Sequence, residues 1–286
     1  MVEKGAGGGV VTRFAPSPTG DLHLGHVYSA GLARDAAREG GGRFLLRMED
    51  IDRGRCREEY ESGIFEDLDW LGFEWEEPVR RQSAHLEDYV AALATLEGLG
   101  VLYPCFCTRR EILDEVARAG AAPHGPEGLL YPGTCRGKSK GEREERMGRG
   151  EAYALRLDVG RAMGMVGELS WVDLELGERE AHPERLGDVV LARKDVRTSY
   201  HLAVTVDDAI QGVTLVTRGE DLLEATHVHR LLMALLGLSV PQWRHHRLLT
   251  GPDGKRYAKR DEGVTIRGMR EGGWTVEDVW GELPER

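Results

Sequence analysis

The feature that most constrains the fold of this chain is a turn rich in proline and glycine between a predicted strand and a predicted helix. It occupies residues 11–26, which read Val-Thr-Arg-Phe-Ala-Pro-Ser-Pro-Thr-Gly-Asp-Leu-His-Leu-Gly-His. The apolar start predicts the end of a buried strand, which the two prolines terminate. Gly20 and Gly25 let a ligand approach the backbone, and a helix from about Leu24 directs free N–H groups towards it. The turn is therefore typical of a phosphate-binding site.

Two histidines and a distant lysine loop strengthen this interpretation. His23 and His26, three residues apart, fall on one face of the first helical turn and can donate hydrogen bonds to a phosphate. A surface loop with two exposed histidines would show the same pair. Residues 251–260, Gly-Pro-Asp-Gly-Lys-Arg-Tyr-Ala-Lys-Arg, carry four cations, of which Lys255 and Lys259 can neutralise a triphosphate. Alone this is also a solvated basic loop, but the two segments together favour an ATP site.

Composition sets limits on the class of protein. With 286 residues the chain can bury a substantial core, as one large domain with an insertion or as two domains. A formal net charge of -11 argues against a generic nucleic-acid coat protein, which needs a basic surface. The absence of a long apolar run predicts no membrane association and a cytoplasmic location. Four cysteines are too few for a disulfide scaffold.

The order of predicted elements indicates an α/β fold. A helix through residues 27–38 ends at a run of three glycines, and the apolar strand 43–48 follows, as in a nucleotide-binding crossover. We predict that strands at Asp188–Ala192 and Val213–Val216 belong to the same parallel sheet. The predicted units are a flexible tail (1–9), a Rossmann-type catalytic domain (10–100 and 187–250), an inserted α+β subdomain (101–186), and a loop with a short C-terminal helical segment (251–286).

Both signature segments resemble those of the class I aminoacyl-tRNA synthetases. His23-Leu-Gly-His26 is similar to their HIGH motif, and Arg256-Tyr-Ala-Lys-Arg260 is similar to their KMSKS loop. The sequence of the opening turn resembles that of the glutamyl subgroup, and further similar segments extend the resemblance from about residue 10 to residue 265. These segments are residues 47–53, 103–109, 200–208, 218–222 and 253–255.

Chemistry and resemblance both indicate a glutamate pocket. Glutamate has two carboxylates and one ammonium group, which Arg13, Arg218 and Glu49 can match. The resemblance implies glutamate contacts at Arg13, Phe14, Ala15, Pro16, Ser17, Glu49, Tyr200 and Arg218. It implies ATP contacts at His23, Gly25, His26, Lys255 and Lys259, with Mg²⁺ accompanying ATP and catalytic roles for His23, His26 and Lys259. The alternatives are a structural ion pair between Glu49 and Arg218, and ordinary core packing of Tyr200.

The chain ends soon after Arg260, where glutamyl-tRNA synthetases continue into a helical anticodon-binding region. We therefore expect no such domain. This architecture resembles the glutamyl-queuosine tRNA(Asp) synthetases, which activate L-glutamate with ATP and attach it to queuosine in the anticodon of tRNA(Asp). The resemblance implies that activity, with tRNA(Asp) as partner, and we expect a monomer. The alternatives are a glutamyl-tRNA synthetase lacking its anticodon-binding domain and a non-catalytic adaptor that binds glutamate or zinc.

A cysteine cluster in the predicted insert indicates a third site. It offers the three thiols of Cys105, Cys107 and Cys135, whereas structural zinc prefers four ligands. Their spacing leaves open whether they bind zinc or are reduced structural cysteines. The resemblance implies one structural Zn²⁺ with Tyr131 as the fourth ligand, and His124 is the chemically commoner alternative. Cys56 lies outside the cluster, on the predicted helix of Tyr60.

Overall fold

A computed structural model describes residues 9–112, 124–125, 128–249 and 265–284 of the chain. The predicted lysine loop, with Lys255 and Lys259, lies outside the described residues, as do the predicted tail to residue 8 and the side chain of His124.

The predicted strand–helix–strand crossover is confirmed. Strand β1 (Val11–Phe14) leads through the turn to helix α1 (Leu24–Glu39) and back to strand β2 (Arg43–Met48). β1 and β2 pair in parallel, with Val11 opposite Arg43. Glycine is required at the return because a Cβ on Gly42 would lie 1.9 Å from the carbonyl oxygen of Val10. Helix α2 (Glu58–Trp70) then leads to strand β3 (Glu76–Arg81), which pairs in parallel with β2.

Mixed sheets and helices form the middle of the chain. Helix α3 (Leu86–Gly98) precedes strand β4 (Leu102–Cys105), and the short strands β5 (His124–Gly125) and β6 (Gly128–Leu129) pair with each other. There follow α4 (Lys140–Gly148), β7 (Ala154–Leu157), α5 (Val159–Val166), β8 (Ser170–Asp173), β9 (Gly177–Glu180) and β10 (Val190–Ala192).

One strand partner differs from the prediction. Asp188–Ala192 was expected in the parallel sheet, but β10 pairs antiparallel with β7, which also pairs antiparallel with β4. The apolar composition of the segment correctly indicated burial, since Leu191 and Ala192 are both buried. Composition cannot distinguish one buried partner from another, so the prediction of its sheet was wrong. The predicted domain boundaries stay a prediction.

The second parallel unit lies beside the first. Helix α6 (Tyr200–Ile210), strand β11 (Leu215–Gly219), helix α7 (Ala225–Leu236) and strand β12 (Gln242–His246) follow one another, and β11 and β12 pair in parallel. The N–H of Thr214 donates to the carbonyl of Val11 at 2.9 Å, which sets β11 next to β1. β12 also pairs in parallel with β8. The ends of β1 and β11 therefore meet at one edge of the fold.

Two short helices close the described chain against the first unit. These are α8 (Ile266–Glu271) and α9 (Val276–Gly281), and Ile266, Met269 and Val279 join the apolar core formed by α1, α2 and β2. Within the described residues, none of the helices combines the length and apolarity needed to cross a membrane.

Candidate active site

A pocket of about 410 Å³ opens where β1 and β11 end. Its lining contains all eight residues predicted to contact glutamate and three of those predicted to contact ATP. These residues are Arg13, Phe14, Ala15, Pro16, Ser17, Glu49, Tyr200 and Arg218, with His23, Gly25 and His26. Segments that are far apart in sequence thus line one cavity.

The histidine pair forms the start of α1. His23 is the N-cap residue, and its ring stacks on that of His26 with centroids 3.8 Å apart. The backbone N–H of His23 donates to Nδ1 of His26 at 3.2 Å, so a neutral His26 carries its proton on Nε2. A Cβ on Gly25 would lie 3.0 Å from Cε1 of His23, tighter than most such contacts. The helix start thus offers N–H groups and an imidazole donor to an anion in the pocket.

Both described ends of the lysine loop lie at this pocket. Leu248 and Leu249, just before the undescribed residues, line the cavity. Thr265, just after them, forms an isolated β-bridge with His23, and the N–H of Ile266 donates to the carbonyl of Leu22 at 2.8 Å. The fold therefore attaches the loop beside the histidine turn.

Arg218 lies on β11 at the pocket wall and is 5% exposed. Its guanidinium has four neutral partners: His245 Nε2 at 3.1 Å, Tyr200 Oη at 3.5 Å, His229 Nδ1 at 3.3 Å and Thr226 Oγ1 at 2.5 Å. Burial lowers the pKa of Arg218 from its ordinary value, although an arginine remains charged in proteins. Among the described side chains, the hydrogen-bond partners of Arg218 include no anion, so the pocket contains a buried cation that can bind a ligand carboxylate.

Arg13 differs because its charge already has a partner. Its Nε and Nη2 donate to the two carboxylate oxygens of Asp208, at 3.0 and 3.4 Å, and its Nη1 donates to the carbonyl of Thr217 at 3.2 Å. Asp208 also accepts from the fully buried Arg47 at 2.8 Å. Burial opposes ionisation of Asp208, but the charges of Arg13 and Arg47 outweigh it and hold the pKa of Asp208 below its ordinary value.

Glu49 follows β2 and supplies one carboxylate of the pocket, whose lining also includes Asp221. Its N–H donates to the carbonyl of Pro16 at 3.0 Å, and its Oε1 lies 3.4 Å from Nη2 of Arg47. Burial raises the pKa of Glu49 above its ordinary value, which the charges of Arg47 and Arg13 oppose. Among the described side chains Glu49 and Arg218 form no ion pair, so the alternative that they only hold two segments together finds no support.

The cysteine cluster forms a separate site with Tyr131. The three thiol sulfurs lie within 4.8 Å of one another, and the phenol oxygen of Tyr131 lies 3.4 Å from Cys105 Sγ and 3.6 Å from Cys107 Sγ. Zinc bonds of about 2.3 Å to sulfur and about 2.0 Å to oxygen would place such atoms about 3.5 Å apart in a tetrahedron. The four side chains therefore fit a tetrahedral metal ion. Cys56 lies outside the cluster, and it precedes α2 rather than lying on it.

Comparison with known proteins decides the family. Residues 9–278 match the family described as tRNA synthetases class I (E and Q), catalytic domain. A Rhodobacter capsulatus protein named glutamyl-Q tRNA(Asp) synthetase is 48% identical over 276 residues, which are 94% of this chain and 98% of that protein. The chain belongs to the class I tRNA synthetases, in the glutamyl-Q tRNA(Asp) synthetase group.

Other similarities agree with this membership. A glutamyl-Q tRNA(Asp) synthetase of Symbiobacterium thermophilum is 43% identical, over 95% of this chain and 84% of that protein. A glutamate–tRNA ligase of Hydrogenobaculum is 37% identical over 96% of this chain, but this covers only 57% of the ligase. The solved glutamate–tRNA synthetase of Elizabethkingia anophelis has a TM-score of 0.75 at 30% identity, over 89% of this chain and 53% of that one.

Sequence reasoning missed the residues that support the pocket of this synthetase. Asp208 and Arg47 position Arg13 and Glu49, while His229, His245 and Thr226 surround Arg218. A signal was present for the first pair, because Arg47 interrupts the apolar strand β2 and Asp208 ends an apolar stretch of α6. Buried charges in such positions require partners.

Proposed function

We propose that this synthetase activates L-glutamate with ATP and transfers the glutamyl group to queuosine in the anticodon of tRNA(Asp). One observation carries the proposal: a single pocket contains a buried cation that has no anionic hydrogen-bond partner among the described side chains, the partly buried carboxylate of Glu49, and a helix start with two histidines. The names of two relatives that are similar over most of this chain support queuosine in tRNA(Asp) as the acceptor.

Glutamate would lie between Arg218 and Glu49. The guanidinium of Arg218 would bind the side-chain carboxylate of glutamate through the N–H donor that its four described partners leave available, and Glu49 would accept from the ammonium group. The hydroxyl of Tyr200 would orient the ligand beside Arg218, and residues Arg13–Ser17 would line the opposite wall. This role for Tyr200 is more specific than core packing, because its ring lines the cavity.

ATP would bind across the start of α1. His23 and His26 would donate to its phosphates from the helix start, with Gly25 allowing close approach, and Lys255 and Lys259 would cover them from the loop. The glutamate α-carboxylate then attacks the α-phosphorus, the bond to pyrophosphate breaks, and glutamyl adenylate forms. Queuosine attacks the acyl carbon of this anhydride, and AMP leaves. Catalysis is positioning and charge stabilisation, with Mg²⁺ bound to ATP.

We also propose how the chain is divided into domains and which residues hold a structural metal ion. Parallel strands β1, β2, β3, β11 and β12 would form a Rossmann-type catalytic domain (10–100 and 187–250), with 101–186 as an inserted subdomain. Cys105, Cys107, Tyr131 and Cys135 would hold one structural Zn²⁺ there, cross-linking β4 to residues 131–135. The geometric fit of these four side chains supports Tyr131 as the fourth ligand.

Pyrophosphate exchange tests the activation step. The synthetase with ATP and glutamate, and no tRNA, should exchange labelled pyrophosphate into ATP, because adenylate formation is reversible. Aspartate and glutamine serve as control amino acids. Absence of glutamate-dependent exchange, with and without tRNA(Asp), would support the non-catalytic adaptor and contradict the proposal.

A further inference from the structure

The neutral partners of Arg218 form a connected buried network below the glutamate pocket. An arginine side chain has donors and no acceptor, so each partner must present an acceptor atom to it. The Nε–H group of Arg218 donates to Nε2 of His245, so the proton of the neutral His245 ring lies on Nδ1. This Nδ1–H group donates to Oδ2 of Asp173, 2.7 Å away. The Nη1 group of Arg218 donates to Nδ1 of His229, so the proton of the neutral His229 ring lies on Nε2. This Nε2–H group donates to Nδ1 of His201, 3.2 Å away.

Burial keeps these imidazoles neutral. His229 is 3% exposed and Thr226 is fully buried. Burial, followed by the charge of Arg218, holds the pKa of His229 well below its ordinary value. The carboxylate of this network, Asp173, contacts His245 and the backbone N–H groups of Glu175 and Leu176 rather than Arg218.

The other buried arginines of the site are held differently. Arg13 and Arg47 share the carboxylate of Asp208, and Arg47 also lies 3.8 Å from Asp207, so internal anions compensate their charges. Arg218 is also held by several hydrogen bonds, but the groups that accept them are imidazoles and hydroxyls, which are dipoles rather than anions. Dipoles fix the guanidinium without removing its attraction for a ligand carboxylate, which is strong inside a buried pocket.

We propose that His229, Thr226 and the His245–Asp173 pair are positioning residues that hold Arg218 without a carboxylate partner among the described side chains, and so determine the preference for the side-chain carboxylate of glutamate over the amide of glutamine. This inference rests on the proposed function. A glutamine bound in the same way would leave the buried cation without a counter-charge, whereas glutamate supplies one. A carboxylate at position 229 would supply this counter-charge from within the protein, so glutamate would lose its advantage over glutamine.

An isosteric pair of variants tests the inference. In His229→Asn the amide oxygen is as many bonds from Cα as Nδ1 is, so an acceptor is retained, and His229→Asp differs from it by one charge. We measure kcat/KM for glutamate in pyrophosphate exchange and the inhibition constant of glutamine. Relative to His229→Asn, His229→Asp should lower kcat/KM for glutamate by roughly 30-fold or more, with no matching loss of glutamine affinity.

A neighbouring pair provides the control for burying a charge on the same helix. His227 is buried on α7 but accepts from His182 N and Trp171 Nε1 rather than from Arg218. His227→Asp and His227→Asn should differ in thermal stability and not in the ratio of the two amino-acid constants. Where His229→Asp does not fold, Thr226→Asp and Thr226→Asn provide the same comparison from the other side of Arg218.

Two outcomes would separate this inference from the proposed function. If the unmodified synthetase exchanges pyrophosphate with glutamate, but the Asp and Asn variants share one glutamate-to-glutamine ratio, the inference is wrong and the function stands. If the unmodified synthetase shows no glutamate-dependent exchange, the proposed function is wrong. Equal weakening of both amino acids in His229→Asp would show a structural role only, and would also overturn the inference.

Discussion

Asp208 stands between two buried arginines at the bottom of the site. Its carboxylate accepts from Arg13 and Arg47, and Arg47 in turn reaches Glu49. At the scale of single residues the pocket is therefore a set of charges in which Arg13 and Arg47 already have internal carboxylate partners. The orientation of Arg13 and Glu49 depends on this shared anion.

Removing the shared charge should destabilise the fold. We expect Asp208→Asn to lower the free energy of unfolding by about 3–5 kcal/mol, because it leaves the buried guanidinium of Arg13 without a carboxylate partner among the described residues and removes one of the three carboxylates near Arg47. Urea denaturation measures this difference. The control is Asp195→Asn at the exposed pair with Arg193, which should cost no more than about 1 kcal/mol. Equal effects of the two changes would contradict the charge network.

Gly25 provides a test that separates catalysis from stability. A methyl group at this position would contact the ring of His23, so Gly25→Ala should shift that ring and slow pyrophosphate exchange on the order of 10- to 100-fold. The free energy of unfolding should change by no more than about 1 kcal/mol, since alanine favours a helix. Gly98→Ala, with open space around the new Cβ, is the matched control. An unchanged exchange rate would count against a role for His23.

At the scale of elements, α8 is the anchor of the lysine loop. Ile266 is fully buried in the core of α1, α2 and β2, directly after the bridge between Thr265 and His23. In the proposed reaction, Lys259 acts on ATP at the pocket that the start of α1 lines. The packing of α8 therefore fixes Thr265 and Ile266, the first described residues after the loop, beside His23 and Leu22.

Loosening this anchor should affect stability and activation together. We expect Ile266→Ala to lower the free energy of unfolding by about 2–5 kcal/mol, and to slow adenylate formation more than it weakens glutamate binding. Ile210→Ala is the control, because Ile210 is 53% exposed at the end of α6 and its loss should cost under about 0.5 kcal/mol. A variant that loses glutamate affinity but activates glutamate normally would contradict the anchoring role.

Metal removal tests the cysteine cluster as an element. The purified synthetase should contain one zinc ion per chain by elemental analysis. Cys135→Ser should lose that zinc and unfold at a lower temperature, because the link between β4 and residues 131–135 disappears. Tyr131→Phe should weaken zinc binding, and Cys56→Ser should retain full zinc content. Zinc-free protein after expression with added zinc would contradict the site.

Local sequence patterns predicted some elements well and others poorly, for identifiable reasons. The helix of α1, its glycine stop and the apolar strand β2 depend on neighbouring residues, and the structure confirms them. The partner of β10 depends on long-range packing, which its composition does not encode. The pocket residues were identified through motifs, whereas the neutral acceptors around Arg218 come from α7 and β12 and carry no motif.

At the scale of the whole molecule, buried histidines make the fold sensitive to acid. Burial, with help from neighbouring arginines, lowers the pKa of His201, His227 and His245 to about 4, and the pKa of His229 also lies well below its ordinary value. In the unfolded chain these groups regain a pKa of about 6.5. The unfolded state therefore binds more protons at pH 5 than the folded state does.

Stability should consequently be full above pH 6.5 and decrease as the pH falls towards 4. Between pH 6.5 and 5 we expect a loss of about 1 kcal/mol per pH unit for each such histidine. Urea denaturation at several pH values measures the slope, and His227→Asn should reduce it by the share of one histidine. A free energy of unfolding that is constant between pH 7 and 5 would contradict neutral burial of these side chains.

The central claim concerns the acceptor of the glutamyl group, and transfer of labelled glutamate tests it most directly. The synthetase, ATP and labelled glutamate are incubated separately with tRNA(Asp) containing queuosine, tRNA(Asp) lacking queuosine, and tRNA(Glu). We predict label only on the queuosine-containing tRNA(Asp). Transfer to tRNA(Glu), or equal transfer to tRNA(Asp) with and without queuosine, would contradict the claim and favour a glutamyl-tRNA synthetase.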